Sequence, residues 1–263
     1  MPFQQFRSIR FYTFECFNDA KVTHGVFTRQ GGVSPAPWAE LNVGSTVGDD
    51  LTRVGENRER IFSALQRPLA SMYDVWQVHG VEVITTDAPR PAQTPHRQAD
   101  AILTDRPQVT LFMRFADCVP ILLHDPVRHV VGLVHAGWQG TVKGTARSAI
   151  ETMRAVYGSE PAEIIAAIGP SIGRHHYQVG SEVVSQVKSS FGEQASSVLE
   201  TTEEGIKLDL WAANRLILEM AGVRQVEVSG ICTACHTEDW FSHRGEKGRT
   251  GRFGVLISLS ESR

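Results

Sequence analysis

The 263-residue chain is 41% hydrophobic and 21% charged, ordinary for a globular protein that buries a sizeable core. Its formal net charge of −3 gives no electrostatic reason to expect nucleic acid or an anionic membrane as partner. No run approaches the roughly 20 apolar residues that span a bilayer, and the start MPFQQFRSIR lacks the pattern of a secretory signal. The expectation is a cytoplasmic protein whose cysteines (Cys16, Cys118, Cys232, Cys235) stay reduced and serve packing, metals or catalysis.

In chain order, stretches rich in Val, Ile and Phe predict strands at 21–28, 81–86, 109–115, 119–124, 130–135, 163–168, 225–229 and 253–259. Apolar residues at three- and four-residue spacing predict helices at 52–66, 140–157, 180–191 and 208–221, the first behind Asp49 and Asp50. Several strands follow one another directly through short turns. That pattern favours an α+β fold with mixed, largely antiparallel sheet covered by helices over a regular βαβ winding. Neither a fixed-period repeat nor a long linker divides the chain, so one domain over 1–263 is expected.

The stretch ADCVPILLHDPVRHVVGLVHAGWQG, residues 116–140, reads as a hairpin turning at Asp125-Pro126-Val127-Arg128, where Asp then Pro suits a type I turn. A turn centred between Pro126 and Val127 sets Cys118 directly across from His135, with alpha carbons about 4.5–5.5 Å apart. Opposed residues share a face of the sheet, so thiol and imidazole converge, and Gly137 and Gly140 leave room above them. A Cys–His pair suits either a thiolate nucleophile with its base or two ligands of a metal such as zinc. His79 in VWQVHG is the best third ligand, and a Cys/His₂ set would leave one coordination position open.

The remaining histidines carry less. His124 and His129 flank the turn and are expected to face solvent, adjacent His175 and His176 to point apart, and His24 and His96 to lack partners. CTACH at 232–236 matches c-type haem attachment, which requires export, and is otherwise half of a structural zinc site without its second pair, His243 being a further candidate. Multicopper oxidase chemistry calls for many histidines in His-x-His pairs, and the chain has none. Two Gly-rich loops could grip an anion: TRQGGVSPAPWAELNVG through Arg29, and FSHRGEKGRTGR through Arg244. Composition favours a surface loop with a solvated arginine for the first.

Ordered segments run through nearly the whole chain: TRQGGVS (28–34), LNVG (41–44), GDD (48–50), ENR (56–58), QVHG (77–80), ADCVPILL (116–123), HAGWQGT (135–141), IGPSIG (168–173), CT (232–233), and FSHR with TGR within 241–252. Together they resemble the YfiH, or laccase-domain, family, named variously multicopper polyphenol oxidase, purine nucleoside phosphorylase and peptidoglycan editing factor. The resemblance implies a single four-layer α/β/β/α domain with zinc (copper as the alternative metal) held by His79, Cys118 and His135. It implies phosphorolysis of adenosine, inosine and methylthioadenosine, adenosine deamination as a further activity, and Arg29, Asn42 and Arg244 as substrate-binding candidates. The chain departs from the family in carrying Gln139 where arginine is usual, and in the extra cysteine and histidine of CTACH. Rival readings are a Cys118 hydrolase or amidase acting on a cell-wall precursor, and a non-catalytic partner protein that retains the site.

Overall fold

Strands that are apolar on both faces demand a cover on each, and that requirement organises this molecule. The computed structural model describes residues 2–18 and 21–260. Its strands are β1 (Phe3–Phe6), β2 (Ile9–Tyr12), β3 (Val22–Phe27), β4 (Met72–Tyr73), β5 (Val83–Thr85), β6 (Ala101–Thr104), β7 (Thr110–Phe115) and β8 (Val119–Asp125). They continue with β9 (Val130–Ala136), β10 (Ile165–Ile168), β11 (Gln178–Val179), β12 (Leu199–Thr202), β13 (Gly205–Leu208), β14 (Gln225–Val228) and β15 (Phe253–Leu259). The α-helices are α1 (Leu51–Ala64), α2 (Trp138–Lys143), α3 (Thr145–Tyr157), α4 (Ser181–Phe191), α5 (Ala195–Val198) and α6 (Leu210–Met220).

Two six-stranded sheets form, ordered β1-β2-β3-β15-β7-β4 and β14-β10-β8-β9-β6-β5, with a small third sheet β11-β13-β12. Among the described strands, the β4–β7, β5–β6 and β10–β14 pairings are parallel and the others antiparallel. The side-chain period of two divides β15 between two cores. Val255 and Ile257 meet Leu122, Val131 and Leu133 of the other sheet, while Leu256 packs on the far side with Ile61 and Phe62 of α1. The alternate residues of β8 (Val119, Ile121, Leu123) face α3 and α6. The layers are therefore α/β/β/α, as the family resemblance implies, and the sheets are mixed and largely antiparallel, as the strand pattern predicts.

All eight predicted strands form, with ends moved by a few residues. The N-terminal strands β1 and β2, the short β4, and β6 with β11–β13 escape the composition signal because they are brief or half-polar. The first predicted helix is capped by Asp50, whose carboxylate accepts from Thr52 and Arg53 N–H. The predicted 140–157 helix is two helices, because Gly144 takes a left-handed φ of 86° that ends α2 and starts α3.

The central hairpin differs from expectation in its register. The loop spans four residues, Pro126–His129, because the Asp125 carboxylate accepts from both Val127 and Arg128 N–H and His129 takes a positive φ. Pro120, not Cys118, is paired with His135. The two-residue shift preserves side-chain parity, so Cys118 still shares the inter-sheet face with His135, diagonally rather than directly opposed. His124 also corrects the sequence reading: it is 1% exposed, on the inter-sheet face against Phe17.

His24 is buried too, and its Nε2 accepts from Phe14 N–H at 2.8 Å, which requires an unprotonated ring nitrogen. Burial lowers its pKa to about 4, and burial likewise lowers that of His124 to about 4. A histidine whose folded pKa lies below its unfolded value near 6.5 stabilises the fold above pH 6.5 and loses that contribution as pH falls toward 4. For His24 the loss is on the order of 3 kcal/mol. Unfolding free energy from urea melts is therefore expected to fall between pH 7 and 5. His24→Gln, which keeps an acceptor but does not titrate, should reduce that slope and leave the His124 part of it, and a wild-type profile already flat in this window would contradict the assignment.

Candidate metal centre and pocket

The site lies at one end of the inter-sheet core, where β8 begins and β9 ends. Cys118 precedes β8 and is half-buried, His135 is the penultimate residue of β9 and is 4% exposed, and His79 sits in the loop that precedes β5. One ligand atom from each of the three lies within 4.8 Å of the others. Cys118 Sγ is 3.9 Å from His79 Nε2, and the two imidazoles meet edge to face with centroids 4.9 Å apart.

Asp100 organises this cluster. Its side chain is fully buried at the start of β6 and accepts from Val78, His79 and Gly80 N–H at 3.1, 3.0 and 2.7 Å. It also bonds His135 Nδ1 at 2.8 Å, while the Asp100 carbonyl accepts from His135 N–H. Burial opposes its charge, but the His135 and backbone hydrogen bonds prevail and hold its pKa below the ordinary carboxylate value. With Nδ1 engaged, His135 is left to offer Nε2 toward Cys118. His79 takes a left-handed φ of 59°, uncommon for a residue with a Cβ. The amides donated to Asp100 and the His79 carbonyl accepting from Lys143 Nζ hold it there.

Electrostatics favour a charged pair. Burial raises the Cys118 pKa, but His135 charge and hydrogen bonds from His135 and His79 outweigh it, bringing the thiol to about 6. For His135 burial pulls downward, while Cys118 and Asp100 prevail and raise it to about 9. Gly137 completes the local geometry. A Cβ there would stand 2.8 Å from Cys118 Sγ and 3.1 Å from His79 Cδ2, so only glycine leaves the approach clear. Two imidazoles and an acidified thiol around a shared point, one imidazole oriented by a carboxylate, are a donor set fit for a soft or borderline divalent ion.

Above the triad opens a pocket of about 470 Å³. Cys118, His79 and His135 line its floor, and Tyr177, Arg114, Arg244, Arg252, His96, His243 and Trp76 contribute to its walls. The arginines differ. Arg114 is paired with buried Asp74, which also binds Arg90 and His96. Arg244 and Arg252 hydrogen-bond through their side chains to backbone carbonyls (of His176 and Gln178, and of Thr250 and Gly251), leaving both charges without a carboxylate pair among the described residues.

Of the candidate substrate residues, Arg244 thus lines the pocket, while Arg29 and Asn42 do not. Arg29 is held by Ala39 and Thr237 carbonyls and by Glu246, and stacks on Phe241. Asn42 is fully buried, binds Gly44 and Asp49, and accepts Arg252 N–H. Both brace the loops that carry Arg252. His96 has a partner in Asp74, and His175 and His176 converge on a 3-10 turn rather than pointing apart. Sequence reading passed over Asp100, Arg114 and Arg252. The one available signal for Asp100 was its place in Ala-Asp-Ala ahead of an apolar run, repeated at Ala116-Asp117-Cys118 ahead of β8.

The profile of the family described as multi-copper polyphenol oxidoreductase laccase matches residues 23–260. The chain belongs to this family. A relative from Deinococcus radiodurans named purine nucleoside phosphorylase is 41% identical over 239 residues, covering 90% of this chain and 89% of its own. Purine nucleoside phosphorylase YlmD of Bacillus subtilis is 36% identical over 253 residues, covering 93% of this chain and 91% of its own. Among solved structures, the Bacillus licheniformis hypothetical protein YfiH superposes with a TM-score of 0.91 at 36% identity, over 98% of this chain and 99% of that one. No helix among the described residues of this laccase-family chain is long and apolar enough to cross a membrane.

If Asp100 organises the centre, Asp100→Asn keeps the volume but loses the charge that orients His135. Zinc affinity, measured by competition with a chromogenic chelator, is expected to drop about 10–100-fold. Unchanged affinity would remove Asp100 from that role.

Proposed function

We propose that this chain is a zinc-dependent purine nucleoside phosphorylase, converting adenosine, inosine or methylthioadenosine and phosphate into free base and the ribose 1-phosphate, with adenosine deamination as a further activity. The observation that carries the reading is one pocket in which Arg244 and Arg252, neither paired with a carboxylate among the described residues, share walls with the His79–Cys118–His135 floor. Its volume lies within the roughly 300–1,000 Å³ typical of small-ligand sites. The names of the relatives support the same reading.

In this account Arg244 and Arg252 bind phosphate and hold it for attack on the ribose C1′ as the bond from C1′ to the purine nitrogen breaks. Positive charge developing on the ribose is offset by the bound phosphate, and the purine leaves with the electron pair. Asn42, through its bond to Arg252 N–H, keeps that segment in position. Tyr177 supplies an aromatic wall already stacked against Arg244. Asp100 fixes His135, and His79 and Cys118 complete the donor set. Zinc held by these residues would supply Lewis-acid polarisation at the floor of the pocket.

A second reading has its own support. The depressed Cys118 pKa beside a raised His135 is the arrangement of a thiolate nucleophile with an imidazolium, suited to hydrolysis of an amide such as one in a cell-wall precursor. A nucleoside panel assayed with and without phosphate, on protein of known metal content, separates the two. Phosphorolysis predicts free base and ribose 1-phosphate only when phosphate is present. Arg244→Gln or Arg252→Gln should raise the phosphate KM tenfold or more, and chelation should abolish turnover. Amide cleavage that survives chelation and is blocked by an electrophile trapped on Cys118 would instead establish the hydrolase.

A further inference from the structure

A second group of metal-ligating side chains lies outside the triad. His175 and His176 stand on the exposed 3-10 turn Arg174–His176, and Cys235 is exposed on the turn that follows buried Cys232. One donor atom from each of the three lies within 4.8 Å of the others. His175 Nε2 is 3.0 Å from Cys235 Sγ, and the two imidazoles are inclined at 62° with centroids 4.9 Å apart.

The backbone brings these distant segments together before any ligand arrives. Ser171 and Cys232 form a parallel bridge, Thr233 N–H donates to Ser171 O at 3.1 Å, and Gly173 N–H donates to Cys232 Sγ at 3.2 Å. The ordering of the two turns is therefore part of folding rather than a cost of binding. Two imidazoles and a thiol form a nitrogen–sulfur set matched to zinc, which closes on such donors at about 2.0–2.3 Å. Side-chain rotation at an exposed surface suffices to reach those lengths, and hydrated ion has free access.

We propose that His175, His176 and Cys235 form a second zinc site, separate from the pocket triad, that clips the 174–176 turn to the 232–236 turn. Its consequence is geometric, because both turns lead to the pocket. Tyr177 follows His176 directly, Arg244 Nη1 bonds the Gln178 carbonyl at 3.1 Å, and its guanidinium lies over the Tyr177 ring. On the other turn Thr233 Oγ1 donates to Asp117, the residue before Cys118, at 2.7 Å. Zinc across the two turns fixes the wall that carries Tyr177 and Arg244 against the floor that carries Cys118.

The test is metal stoichiometry on the full chain, stripped and then titrated with zinc or with cobalt as a spectroscopic substitute. Wild type is expected to bind two equivalents per chain, with thiolate-to-cobalt charge-transfer absorption contributed by both. Cys235→Ser combined with His175→Gln should retain one equivalent, and Cys118→Ser combined with His135→Gln should retain the other, its thiolate band now due to Cys235. A wild-type stoichiometry that the Cys235/His175 variant leaves unchanged, whether one equivalent or two, would overturn the proposal. Cys235 and His175 are exposed, so that arm decides the matter even where the buried triad variant fails to fold.

Discussion

The centre depends on one buried carboxylate. Asp100 gathers three consecutive amides from the 78–80 loop and the Nδ1 of His135, fixing two histidines of the candidate metal centre from separate elements with a single charge. Charge-assisted hydrogen bonds are worth about 1.5–3 kcal/mol each, enough to hold His79 in a left-handed conformation that side chains generally avoid. Burying the carboxylate without those donors would cost several kcal/mol. The loop, the histidine and the carboxylate thus stand or fall together, and Cys118 completes the set because its strand is the neighbour of β9.

The double-sheet architecture explains why the site lies where it does. Sheet-on-sheet packing leaves an apolar slab that must end somewhere, and at the edge between β8 and β9 the apolar side chains give way to Cys118 and His135. Phe115 of the opposite sheet packs against the His135 ring, with centroids 5.4 Å apart. The rim of the pocket comes from long connections: the segment after β3, the 3-10 turn before β11, and the loop that leads into β15. Strand β9 carries His135, Cys118 and His79 sit on segments that lead into β8 and β5, and longer loops carry Arg244 and Arg252.

Strand positions and the convergence of His79, Cys118 and His135 were legible because each leaves a local mark, an apolar run or a reactive side chain at its end, whereas the layer order came from the family resemblance. The hairpin register was not, because Asp-Pro suits a tight turn while the Asp125 side chain in fact closes a longer one. The parity of strands still delivered Cys118 and His135 to one face. Composition reads Arg29 as solvated and the resemblance offers Arg29 and Asn42 as substrate contacts, yet their partners, Glu246 and Arg252, lie more than 200 residues away. Long-range pairing of this kind leaves no trace in spacing. Asp100 was invisible for the same reason, since an aspartate ahead of a strand reads as solvated until the 78–80 loop folds over it.

The central claim is that His79, Cys118 and His135 converge on one metal under the control of Asp100. Anomalous diffraction at the zinc edge, on crystals grown with zinc, tests it most directly. The account predicts a peak within bonding distance of His79 Nε2, Cys118 Sγ and His135 Nε2, with the Asp100 carboxylate still bonded to His135 Nδ1. No density at that point, or an Asp100 carboxylate turned away from His135, would contradict it.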